Sequence, residues 1–149
     1  MLTGFFDLQW WELCVVLLMY THITISAVTL YLHRSQAHKS IELSSSISHF
    51  FRFWLWLTTG MNTKEWTAIH RKHHAMVDKT GDPHSPAVFG LGNVFWKGAE
   101  LYRVGLTDNS VVTQYGYGTP NDWVENTVYS RYRSMGVVIM FVINFLLFG

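Results

Sequence analysis

The sequence has a single cysteine, Cys14, and few charged residues, with Lys, Arg, Asp and Glu making up 14% of its 149 positions. A lone cysteine closes no intrachain disulfide and builds no thiolate metal site by itself. A net charge of +1 excludes the broad basic field with which nucleic-acid binders attract phosphate. Residues 1–9 contain neither Lys nor Arg, so the basic start of a cleaved signal peptide is missing. Internal repeats, low-complexity tracts and nucleotide-binding glycine motifs are absent as well. What is abundant is apolar mass: 49% hydrophobic residues, 16% aromatic residues and seven Trp, a balance that favours a membrane protein.

Residues 10–32 form an apolar run long enough to cross a hydrocarbon core. The first basic residues after it are Arg34 and Lys39, so the positive-inside rule puts the amino terminus outside and this end of the helix in the cytoplasm. Continued to His38, the helix would be about 43 Å long against a core of roughly 30 Å, and its last turns would stand clear of the membrane. The 31 residues between His38 and His70 are too few for two crossings and a turn, and residues 47–61 lie within them. Their aromatic block, with Arg52 in its midst, reads as an interfacial or re-entrant helix near the headgroups, ended by Gly60. Residues 82–134 read as cytoplasmic. Here Val94, Phe95, Gly98, Leu101 and Tyr102 mark the apolar face of a short helix, Gly105 to Gly118 is irregular, and Thr119 caps a further helix from Pro120 to about Ser134. Residues 135–149 start a second spanning helix and stop short of the roughly 20 residues it needs. The expected fold class is therefore all-α, an integral membrane helical protein ending as a fragment.

Five of the eight histidines fall in two short clusters, His33 with His38 and His70 with His73 and His74. At about 100° per residue, His73 lies roughly 60° to one side of His70 and His74 roughly 40° to the other. All three share one arc. Neutral imidazoles without cysteine suit iron, copper, zinc or nickel. His33 and His38 are about 140° apart on an ideal helix and do not share a face. They reach one centre only from flanking directions, or if the helix ends between them.

Other polar residues carry weaker readings. His84 is either a hydrogen-bond donor close to the metal or a residue of a proline-bounded turn. Glu65 and Asp82 are candidates to orient ligand imidazoles, against capping or surface charge. Lys97 and Arg103 either meet a phosphate-bearing carrier or form a solvated helix face. Trp66 reads as packing, His49 as interfacial, and His22 as a packing or helix-to-helix residue.

The motifs His33-Arg34-Ser35-Gln36-Ala37-His38 and His70-Arg71-Lys72-His73-His74, with Lys64-Glu65-Trp66 before the second and Asp82-Pro83-His84 after it, resemble the first two histidine boxes of the membrane-bound fatty acid desaturases. The match is nearest to bacterial acyl-CoA desaturases of the delta-9 type and extends through residues 21–25 and 50–57. The resemblance implies a non-haem diiron centre that uses O2 to desaturate an acyl chain carried on CoA or lipid. It makes His33, His38, His70, His73 and His74 metal ligands. It further implies electrons from a ferredoxin, rubredoxin or cytochrome b5-like protein with its reductase, and a place in the bacterial inner membrane. A third box is absent, so these residues are not expected to complete the site or turn over alone. Ala68-Ile69 stands where animal acyl-CoA desaturases have Arg-Asp, which leaves the carrier open. Hydroxylation or ketolation by a similar centre, and a non-catalytic metal-binding membrane protein, are the alternatives.

Overall fold

The computed structural model describes residues 4–149, and among these every regular element is helical. Helix α1, Trp10–Ala37, is long and apolar enough to cross a membrane, and it continues past the expected end at residue 32. It is followed by α2, Ser45–Thr59, α3, Thr63–Ala75, the single turn α4, Pro86–Phe89, and α5, Leu91–Gly105. Then come α6, Asn109–Tyr115, a wide helical turn at Glu125–Tyr129, and the apolar α7, Arg133–Phe148.

The lower end of α1 is not an ordinary α-helix. From Ala27 to Ala37 it is wound as a π-helix, closed at the end by the His38 amide donating to the His33 carbonyl at 3.0 Å. Hydrogen bonding from i+5 to i brings residue i+5 back over residue i, a geometry that is rare and concentrated at functional sites. This overturns the expectation that His33 and His38 point apart.

Local sequence explains where the next helices begin and end. The Ser44 side chain accepts from the Ile47 amide at the start of α2, and Gly60 ends that helix at φ +64, a left-handed conformation that glycine adopts without steric penalty. Asn62 then caps α3 by accepting from the Glu65 amide at 3.0 Å. With only three residues between them, α2 and α3 form a tight corner. Ala27, Tyr31, Leu32 and Leu55 make the buried core between α1 and α2, with Trp66 of α3 against it. A second contact joins α2 to α7. There a Cβ on Gly136 would sit 2.3 Å from the Trp56 carbonyl, so only glycine lets the two backbones approach this closely.

Arg52 of α2 is buried, 7% exposed, and bonds Asp122 at 2.6 and 2.9 Å. Three local expectations need correction. The helix from Pro120 to Ser134 is broken, because Asp122 rather than Thr119 caps the turn by accepting from the Glu125 amide at 2.9 Å, and α7 begins only at Arg133. Within the stretch read as irregular, Asp108 caps α6 by accepting from the Ser110 amide. On α5, Val94, Gly98, Leu101 and Tyr102 do turn inward, but Phe95 is 74% exposed.

Candidate metal centre

His33 sits on the wide turn of α1, His38 caps its end, and His70 and His74 lie one turn apart on α3. Their ligand nitrogens all fall within 4.8 Å of one another. The Nε2 of His70 is 3.2 Å from that of His38 and 3.1 Å from that of His74, and the His33 ring centroid is 4.7 Å from that of His70. Such nitrogen separations are those of neighbouring donors around one ion with metal–nitrogen bonds of about 2.1 Å. Burial first, then the positive potential of His74, His33 and His38, pulls the His70 pKa down to about 3. An imidazole held neutral in this way has a lone pair ready for a metal. His33 and His70 are half-buried whereas His38 and His74 are exposed, so the cluster opens on one side.

His73 does not join these four. One position before His74 on α3, it turns toward a second group formed with Asp82 and His84. After α3 the chain reverses through Asp78 at φ +57 and Gly81 at φ +104, which carries Asp82 back over the helix. Asp82 is 1% exposed, and both its carboxylate oxygens lie 2.9 Å from His73 Nδ1. The amides of Asp78 and His84 also donate to it at 3.1 Å. Burial alone would raise the Asp82 pKa; the hydrogen bonds from His73, His84 and Asp78 outweigh it and hold the carboxyl below its ordinary value. The His84 ring stacks on His73 with centroids 4.4 Å apart. With Nδ1 turned to Asp82, the Nε2 of His73 is left as its free ligand atom.

Glu65 is brought to none of these imidazoles. Its carboxylate is bound by Arg133 through two bonds of 2.8 and 2.5 Å, tying α3 to the start of α7. Lys97 and Arg103 lie on the exposed side of α5. His22 is on the exposed side of α1, and the His49 ring is 6.2 Å from that of Tyr129. Two contributors were not legible in the sequence. Trp66 stacks on His70 at 4.8 Å and 15°, the i, i+4 spacing being the one available clue. Arg71, between His70 and His73, turns to backbone carbonyls of other segments, contacts that spacing along the chain does not announce.

Beside the four-histidine cluster lies a cavity of about 230 Å³ lined by Trp66, Ile69, Val94, Gly98 and Tyr102 together with His70 and His84. It is an apolar space between α3 and α5 that touches both histidine groups.

The sequence profile of the fatty acid desaturases matches residues 9–148. The chain belongs to the fatty acid desaturase family. Over 92 residues, 61% of this chain and 30% of the relative, it is 32% identical to delta-9 acyl-lipid desaturase 1 of Arabidopsis thaliana. An acyl-CoA 5-desaturase from Anemone leveillei is 29% identical over 97 residues, 61% of the chain and 29% of the relative. A chloroplastic palmitoyl-monogalactosyldiacylglycerol delta-7 desaturase of Arabidopsis thaliana is 27% identical over 118 residues, 78% of the chain and 29% of the relative. The chain thus spans about 30% of the length of the relatives it matches. No solved structure matches it.

Proposed function

We propose that the chain supplies the first two histidine boxes of a membrane desaturase that uses iron and O2 to place a cis double bond in a saturated acyl chain. The observation that carries this reading is that His70 belongs both to the four-imidazole cluster and to the wall of the apolar cavity. A metal ion held there would lie beside a space shaped for methylene groups. The donor set fits iron: four imidazoles with neither thiolate nor carboxylate among them, a set that iron shares with other first-row metals. Membership of the fatty acid desaturase family supports iron within that group. When bound, iron supplies the activation of O2 and the removal of two hydrogens from unactivated carbons, chemistry that no side chain performs.

The chain's own residues prepare the site. His33, His38, His70 and His74 hold one ion, and His73, oriented by Asp82, together with His84 offers donors for a second. Trp66, Ile69, Val94 and Tyr102 exclude water from the acyl segment and hold it against His70. The exposed sides of His38 and His74 leave room for further ligands from the remainder of a longer enzyme. The carrier is CoA or a lipid, and electrons come from a small redox protein with its reductase. Arg34 and Lys39 at the end of α1 favour the boxes facing the cytoplasm, in a bacterial inner membrane.

The test is iron analysis of the purified full-length protein, with gas chromatography and mass spectrometry of acyl products formed in cells. Stoichiometric iron and a monounsaturated product, both lost on replacing His70 or His74 by Ala, are expected. Undiminished iron and product in those variants would sink the assignment, and a hydroxylated or oxo product would replace desaturation with a related oxidation.

A further inference from the structure

Arg71 stands between His70 and His73, yet its hydrogen bonds run to backbone carbonyls of other segments. Its Nε donates to Ala37 O at 3.0 Å and its Nη2 to Gln36 O at 2.8 Å. Its Nη1 donates to Tyr115 O at 2.9 Å and Tyr117 O at 2.8 Å. The guanidinium lies over the Tyr117 ring, 4.4 Å from its centroid. One side chain thus joins α3 to the last turn of α1 and to the loop after α6.

The two α1 carbonyls are those immediately before His38. At a helix C-terminus the last carbonyls lack intrahelical partners and carry partial negative charge, and the planar guanidinium fork is the side chain best suited to gather several at once. Their position matters because α1 is π-wound here. An α-helical register is the default, and it would put His33 and His38 about 140° apart. The π register instead brings their ring centroids to 4.5 Å. Ser40 contributes from the other side, its amide and hydroxyl both donating to Arg34 O at 2.9 and 3.1 Å.

We propose that Arg71 is a positioning residue that holds the end of α1 in its wide register, so that His33 and His38 share a face and meet His70 and His74. The α3 helix thus brings two ligands of the cluster and the clamp that aligns the other two. The inference rests on the metal reading above for its ligand, while its geometric part stands without it.

The test uses the full-length protein in detergent with variants Arg71→Lys, Arg71→Gln, Tyr117→Leu and, as a control, Lys72→Ala. Two readouts are taken: amide hydrogen exchange of residues 36–40, and titration with Co(II) followed by its visible spectrum. A lysine keeps the charge but cannot reach four carbonyls. Both Arg71 variants are therefore expected to exchange faster at the His38 amide and to bind Co(II) about 10–100-fold more weakly, the range seen when supports of metal ligands are removed. Lys72→Ala should match the wild type, and Tyr117→Leu should loosen the same amides to a smaller degree. Wild-type exchange and Co(II) spectra in Arg71→Lys would overturn the proposal. Should both Arg71 variants fail to fold, unchanged exchange in Tyr117→Leu overturns it. A wild-type protein without iron or desaturation defeats the enzymatic reading and leaves the exchange comparison standing.

Discussion

The Nε2 atoms of His38 and His70 stand 3.2 Å apart although the residues are 32 positions apart in the chain. The two rings are within hydrogen-bond distance, and the backbone of two separate elements brings them there. His38 is placed by the final turn of α1, His70 by the corner between α2 and α3, and Trp66 stacks on the His70 ring. His38→Ala is expected to lower Co(II) affinity by more than the roughly 10–100-fold typical of residues that merely support a ligand. His22→Ala, on the exposed side of α1, should leave it unchanged. Equal affinities in the two variants would remove His38 from the ligand set.

Asp82 makes a prediction about the second histidine group. Asp82→Asn preserves shape but replaces the charged acceptor of His73 Nδ1. Metal occupancy is expected to fall about 10–100-fold in affinity, with the loss confined to one of two ions in a stoichiometric titration. If both ions bind as in the wild type, Asp82 serves the turn at residues 78–84 alone.

Gly98 bears on the cavity. An added Cβ there meets nothing within 4 Å, and the residue lines the space beside His70. Gly98→Leu should therefore fold. It should also shift products toward shorter acyl chains or cut turnover while iron content is kept. A product profile identical to the wild type would show that the acyl chain lies elsewhere.

The buried cluster around Arg52 predicts pH dependence. Arg52 bonds Asp122 and approaches Glu125 at 3.1 Å. The Asp122 pKa is pulled down to about 2, chiefly by the Arg52 hydrogen bond. A carboxyl depressed in the fold stabilises it above its unfolded value of about 3.9, and this contribution is lost as pH falls toward 2. Glu125 has the opposite sign: burial raises its pKa, so its proton uptake favours the fold as pH falls. In Arg52→Ala the Asp122 contribution disappears and the buried Glu125 loses its cation, at about 3–5 kcal/mol. Thermal melting of the variant should recover more steeply than that of the wild type as pH is lowered from 7 to 5, because Glu125 without its cation gains more from taking up a proton. A variant curve parallel to the wild type would contradict the pairing.

Much of the site was legible because it rests on local rules. The i, i+4 relation of His70 and His74 needs only helical geometry, Gly60 ends α2 by its backbone freedom, and the apolar length of residues 10–32 announces a helix long enough to cross a membrane. The break at residues 120–132 was hidden because Pro120 and Asp122 imitate a helix start, while the Arg52 donor that binds Asp122 to α2 is invisible in its own neighbourhood.

Taken alone, the sequence determined that the chain is helical, that one stretch can cross a membrane, and that imidazoles gather on the face of α3, since each follows from spacing within a few turns. Tertiary structure decided the rest. Arg52 is buried because its partners come from 70 positions away. His73 leaves its neighbours because a loop returns Asp82 to it. The π winding of α1 makes His33 and His38 neighbours, with Arg71 reaching across from another helix to the carbonyls of that turn. Contacts of this kind depend on where the backbone passes in space, and residue spacing along the chain does not encode them.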